Sequence, residues 1–94
     1  MTVVWTRLAL ADLDSACDYI AEERPGSAAT VIDRIEKAIE ILRRHPEIGR
    51  PGRVAGTREL LVPGTPFMAA YRVNEKRVEV LSLIHGARRW PDEL

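Results

Sequence analysis

The chain has 94 residues, with 14 basic and 14 acidic side chains and therefore no net formal charge. This length fits a single domain, one cysteine cannot form an internal disulfide, and no apolar run approaches the roughly 20 residues that cross a bilayer. We therefore expect one domain over residues 1–94 that is soluble, cytoplasmic and without a membrane partner.

The neutral total conceals a difference between the two halves of the chain. Residues 1–49 carry six basic and nine acidic side chains, a net charge of −3, whereas residues 50–94 carry eight and five, a net charge of +3. Such a difference occurs where an acidic body carries a basic working surface, and it also occurs on ordinary solvated surfaces. Charge alone leaves both interpretations open.

The first half of the chain predicts a short strand followed by a helical hairpin. Val3–Trp5 is a β-type run, and apolar residues recur at helical spacing from Leu8 to Glu23. A Pro-Gly pair then breaks the helix. A second helix is predicted to begin after Ser27 as its N-cap and to end at His45-Pro46. Two helices with so short a link should lie antiparallel.

The second half predicts a basic loop and three strands. The stretch from Gly49 to Pro66 holds three arginines against one glutamate on a Gly- and Pro-rich loop that leads into a strand; we call residues 49–58 the basic loop. Period-two alternation then predicts strands at Thr57–Val62, Phe67–Val73 and Arg77–His85. The short turns between them favour an antiparallel meander.

The predicted sheet has apolar side chains on both faces. Strict alternation puts Leu81 and Leu83 of the last strand opposite Val80 and Ser82, and a helical hairpin can cover only one face. Because a monomer seldom exposes a large apolar patch, we expect a partner chain to cover the second face. The alternative is that the C-terminal tail folds back over it.

The polar residues favour binding rather than metal chemistry. The two histidines and the cysteine lack the spacing of a zinc site, so no metal is expected. Arginine suits phosphate and carboxylate groups, because its fixed charge comes with a fork of donors. The basic candidates for RNA or an acidic protein surface are Arg50, Arg53, Arg58, Arg72, Arg77, His85, Arg88 and Arg89. Scattered surface arginines remain the alternative, and Trp90 could pack or stack.

Several strings, in their order along the chain, resemble the RelE/ParE superfamily of toxins from bacterial type II toxin–antitoxin modules. They are the first strand, DL…YI on the first helix, HPEIGRPG after the second, and TREL, AYRV and VEVLSLIHGARRWP on the strands. The resemblance implies an α+β fold of order β-α-α-β-β-β, with the helical hairpin packed on one face of a small antiparallel sheet. It also implies a growth-inhibiting toxin without a cofactor. A cognate antitoxin would neutralise the toxin, and operator DNA would be bound only through the antitoxin.

The superfamily resembled here contains two activities. RelE-like members cleave ribosome-bound mRNA with a metal-free basic cluster, and ParE-like members poison DNA gyrase. The ribonuclease pattern fits poorly, since Met68 stands where an arginine is expected and the tail has no tyrosine. His85 fits a catalytic histidine but occurs in both groups, and HPEIGRPG looks more like the ParE side. Gyrase poisoning is therefore preferred, with mRNA cleavage as the alternative.

These interpretations assign three sets of residues. If the toxin is a ribonuclease, His85 transfers protons while Arg58 and Arg88 hold the phosphate. The target-binding candidates are Arg50, Arg53, Arg58, Arg72, Arg89 and Trp90. The candidates for the antitoxin, on the uncovered sheet face, are Leu60, Val62, Leu81 and Leu83, with acidic antitoxin residues expected to meet Arg58 or Arg72.

Overall fold

The structure is a computed structural model that describes residues 1–86 and Pro91. Its elements are β1 (Thr2–Trp5), α1 (Arg7–Glu23), α2 (Ala28–Ile41), β2 (Arg50–Pro51), β3 (Arg58–Leu61), β4 (Phe67–Asn74) and β5 (Arg77–His85). The predicted α+β order is confirmed, with β2 as an addition inside the basic loop. Within this part of the chain, no helix is long and apolar enough to span a membrane.

The five strands form one mixed sheet in the order β1-β5-β4-β3-β2. The neighbours from β2 to β5 are antiparallel, as the short turns predicted. β1 instead runs parallel to β5, from the pair Thr2–Arg77 to the pair Trp5–Val80. Only strands joined by tight turns are forced to be antiparallel. The helical hairpin and three further strands separate β1 from β5 in sequence, so no local signal set their relative direction.

The two helices begin close to the predicted positions. Thr6 caps α1, and its side-chain oxygen accepts a hydrogen bond from the Ala9 N–H at 3.1 Å. Ser27 stands at the N-cap position of α2 as predicted, but its side chain makes no capping hydrogen bond. α2 ends at Ile41, several residues before the predicted stop at His45-Pro46, and turns connect it to the basic loop.

The main core lies between the helical hairpin and one face of the sheet. Its largest fully buried side chains include Ile35 and Leu42 from the α2 region and Tyr71, Val78 and Val80 from the sheet. Burial of this kind contributes about 1.5–3 kcal/mol for each large apolar side chain, so the hairpin and the sheet stabilise each other. The core therefore holds the strands of the sheet in fixed positions relative to the helices.

A β-bulge changes which side chains of β5 face the helices. Ala70 pairs with Ser82, but the next residue of β4, Tyr71, pairs with Val80. Leu81 is therefore an extra residue, and alternation reverses after it. Leu83 joins the main core, whereas Ile84 joins a small buried cluster on the opposite face with Met68 and Ala70.

Candidate functional site

Four hydrogen bonds hold the start of the basic loop against the sheet. The Tyr71 hydroxyl donates to the Pro46 carbonyl oxygen at 2.7 Å and accepts from the Gly49 N–H at 2.9 Å. Nη1 of Arg58 donates to the carbonyl oxygens of Gly49 at 2.8 Å and Glu47 at 3.2 Å. We call this arrangement the loop clamp. It fixes the backbone immediately before Arg50.

The loop clamp depends on a close approach at Gly49. A Cβ atom there would lie 2.6 Å from the Tyr71 hydroxyl oxygen and 2.9 Å from the Glu59 carbonyl oxygen, so only glycine fits. Burial raises the pKa of Tyr71, while the hydrogen bond from Gly49 and the charge of Arg58 act in the opposite direction. The hydroxyl therefore stays protonated at neutral pH and can donate to Pro46.

The three arginines of the basic loop have different surroundings. Arg58 is used by the loop clamp. Arg50 pairs through Nε with Oε1 of Glu59 at 2.8 Å, and its side chain is 60% exposed while that of Glu59 is 12% exposed. Arg53 is exposed and makes no hydrogen bond or ion pair with any residue that the structure describes. Arg50 and Arg53 are therefore the two loop arginines that face solvent.

Arg72 on β4 adds another exposed positive charge to the sheet. Its Nε lies 2.9 Å from Oε1 of Glu79, and Arg77 approaches the other carboxylate oxygen at 3.8 Å. The hydrogen bond from Arg72 is the main cause that lowers the pKa of Glu79. Because the carboxylate is 14% exposed and both guanidinium side chains are 51% exposed, the surface at this cluster is mainly positive. The other predicted target-binding residues, Arg89 and Trp90, lie outside the described residues.

The leucines and valine predicted to bind the antitoxin do not lie on an uncovered sheet face, so the expectation of an exposed face at these residues is wrong. Val62 and Leu83 are 1% and 6% exposed in the main core, and Leu60 packs against it. Leu81 is 7% exposed at the bulge. The sequence argument failed because it assumed unbroken alternation in β5 and the opposite register for β3, where Leu60 pairs with the core residue Ala69. The apolar cluster on the other sheet face is itself buried, so the expected exposed patch is absent there.

His85 lies at the opposite end of the sheet from Arg58. The His85 ring packs edge-on against Phe67 and Tyr19, with ring centroids 5.5 and 6.0 Å apart. His85 pairs with Phe67 and Arg58 pairs with Tyr71, four residues along β4 and on the other side of it. With strands about 4.8 Å apart and about 3.3 Å per residue, their Cα atoms are about 16 Å apart. The structure does not bring these two predicted catalytic residues together, and the third, Arg88, lies outside the described residues.

A cavity of about 360 Å³ lies beside His85, between α1 and the end of β5. Oδ2 of Asp12 accepts hydrogen bonds at its wall from the Ser82 hydroxyl at 2.8 Å and the Leu83 N–H at 3.0 Å. Sequence reasoning missed this carboxylate, which appeared only within the string DL. Among the described residues, no group of three or more His, Cys, Asp or Glu side chains could hold a metal ion.

Comparison with known proteins gives matches over nearly the whole chain. A family model described as "ParE toxin of type II toxin-antitoxin system, parDE" matches residues 3–90. The protein Y4kP of Sinorhizobium fredii is 40% identical over 90 residues, which cover 96% of this chain and 93% of that one. The toxin RelE2 of Caulobacter vibrioides is 38% identical over 86 residues, covering 92% and 96%. The solved structure of the chromosomal ParDE TA system from P. aeruginosa matches with a TM-score of 0.83 and 32% identity, over 90% of this chain and 95% of that chain.

Proposed function

Because this chain belongs to the ParE toxin family of type II toxin–antitoxin systems, we propose that it inhibits growth by poisoning DNA gyrase. The whole chain, residues 1–94, acts as one toxin domain in the cytoplasm. A cognate antitoxin binds and neutralises it, and operator DNA is contacted only through that antitoxin. The likeness to the ParDE TA system of P. aeruginosa supports such a partner.

The basic loop is the proposed target-binding element. Arg50 and Arg53 face solvent, and the loop clamp holds the backbone that precedes them. A pre-ordered loop loses less conformational entropy on binding than a mobile one. Arg72 extends the positive surface along the sheet, and Arg58 acts by holding the loop in place rather than by touching the target.

The separation of His85 from Arg58 is the observation that favours gyrase over mRNA. Metal-free cleavage of RNA needs a proton-transfer group and a phosphate-binding cation on the same phosphate, within hydrogen-bond reach. A distance of about 16 Å between the two Cα atoms and the contacts of Arg58 with Gly49 and Glu47 oppose that arrangement for His85 and Arg58, while Arg88 lies outside the described residues. His85 packs against two aromatic rings instead.

Two assays on the purified toxin separate the two targets. We expect the toxin to inhibit gyrase supercoiling or to stabilise cleaved DNA, and to leave ribosome-bound mRNA intact in primer extension. His85→Ala should leave the gyrase effect in place. Codon-dependent mRNA cuts that disappear with His85→Ala would overturn the proposal in favour of the ribonuclease alternative.

Single substitutions test the binding surface itself. Arg53→Ala should weaken growth inhibition at least tenfold in inducer titration without changing the melting temperature, because exposed loop charges contribute only about 0–1 kcal/mol to stability. Lys76→Ala removes an exposed cation from the β4–β5 turn and is the matched control, which should stay toxic. Equal toxicity of the two variants would show that Arg53 does not contact the target.

A further inference from the structure

The cavity between α1 and β5 lies where the described part of the sheet is incomplete. β1 pairs with β5 only as far as Val80, and beyond it the described residues supply no strand on that side of β5. Side chains from the N-cap and the first half of α1 approach the strand instead. The Thr6 hydroxyl donates to the Leu81 carbonyl oxygen at 3.0 Å, and Asp12 accepts from the Leu83 N–H. The remaining space is about 360 Å³, within the range of ligand-binding cavities.

A carboxylate gives this cavity its charge. Both hydrogen bonds to Asp12 end on Oδ2, so Oδ1 accepts none from the residues that the structure describes. The described lining residues include no lysine or arginine. The exposed acids Asp14, Asp18, Glu22 and Glu23 lie on the same helix, which has no basic residue after Arg7. Among the described residues, the charges around the cavity therefore favour a cation.

Aromatic rings complete the lining. Tyr19, which is 47% exposed, and the buried Phe67 both line the cavity and pack against His85. Aromatic rings attract ammonium and guanidinium groups through their negative faces, and a nearby carboxylate adds a charge-assisted hydrogen bond. Both features suit the end of a long basic side chain.

We propose that this cavity binds an arginine or lysine side chain of the antitoxin, with the cationic group on Oδ1 of Asp12 and the stem beside Tyr19. We assign a cationic side chain because α1, which forms one wall of the cavity, is acidic. The positive charge of the basic loop lies at the opposite edge of the sheet and does not oppose a cation here. This assignment rests on the proposed function only in taking an antitoxin as the partner.

The cation preference can be tested without the antitoxin. Benzamidine and its neutral isostere benzamide would be titrated into the full-length toxin while amide NMR signals of Ser15, Ala16 and His85 are followed. We expect saturable shifts with benzamidine and at least tenfold weaker binding of benzamide. Asp12→Asn, which keeps an acceptor for Leu83, and Tyr19→Ala should each weaken benzamidine about tenfold. Asp14→Asn is the matched control on the same helix and should bind normally.

The identity of the occupant is tested with the cognate antitoxin by calorimetry. Asp12→Asn should weaken antitoxin binding at least tenfold, and Asp14→Asn should not. Equal binding of benzamidine and benzamide, or of neither, would overturn the cation site. Selective benzamidine binding with unchanged antitoxin affinity in Asp12→Asn would overturn the assigned occupant while the toxin–antitoxin pairing stands. If Asp12→Asn fails to fold, Tyr19→Ala decides both points by the same criteria.

Discussion

Replacing Tyr71 by phenylalanine tests whether the loop clamp stabilises the fold. The substitution removes one hydroxyl and leaves the ring in place. It deprives the buried Gly49 N–H and the half-buried Pro46 carbonyl of their partner. An unsatisfied buried donor costs about 1–3 kcal/mol, whereas Pro46 is accessible enough to bind water. We expect a loss of about 2 kcal/mol in the free energy of unfolding, dominated by Gly49.

Thermal unfolding followed by circular dichroism measures this loss. For a domain of this size, each kcal/mol lowers the melting temperature by about 4–8 °C, so Tyr71→Phe should melt about 8–16 °C below the wild type. Tyr19→Phe removes a hydroxyl from a half-exposed tyrosine whose hydroxyl makes no hydrogen bond with the described residues and should melt within about 2 °C of the wild type. Equal melting temperatures for the two variants would refute the role given to the Tyr71 hydroxyl.

Tyr71→Phe should also change how the free energy of unfolding depends on pH above pH 10. Burial raises the pKa of Tyr71 above its ordinary value of 10.0, so the unfolded chain loses this proton before the folded chain does. The associated stability is complete below pH 10 and is lost as the pH rises from the unfolded pKa towards the folded one. Urea unfolding should show a steeper decline above pH 10 for the wild type than for Tyr71→Phe. Equal declines in stability for the wild type and Tyr71→Phe would show that the Tyr71 hydroxyl is not the group that titrates.

Two further predictions concern the close approach at Gly49 and the ion pair between Arg72 and Glu79. Gly49→Ala should destabilise by about 1–3 kcal/mol in urea unfolding, because its Cβ would overlap Tyr71; Gly26→Ala, where nothing lies within 4 Å, is the control. Arg72 holds the pKa of Glu79 below 4.5. Stability from this pair should therefore be present above pH 4.5 and be lost as the pH falls through the folded pKa. Arg72→Gln should flatten that acid dependence, and an unchanged profile would show that the pair contributes nothing.

The sequence was sufficient to predict those elements whose apolar residues follow one unbroken period. The span of α1 and the strands of the antiparallel meander follow from spacing and turns, and the structure confirms them. It was insufficient where one residue changes the pattern. Nothing local marks Leu81 as the extra residue of a bulge, so every inward and outward assignment after it was reversed. A two-residue strand such as β2 has no period at all, and the parallel pairing of β1 joins segments about 75 residues apart.

The candidate site shows a related limit, because a clamped arginine and a free one look the same in a sequence. Arg50, Arg53 and Arg58 were all predicted to bind the target, and on that prediction alone a variant with all three replaced by alanine should lose toxicity and keep its fold. Arg58 instead satisfies two loop carbonyls, so its removal also loosens the loop that presents Arg50 and Arg53. If the triple variant lost toxicity, the loss of the arginine charges could not be separated from the loss of order in the basic loop. Only single substitutions at Arg50 and Arg53, which leave the loop clamp intact, separate recognition by charge from the positioning of that charge.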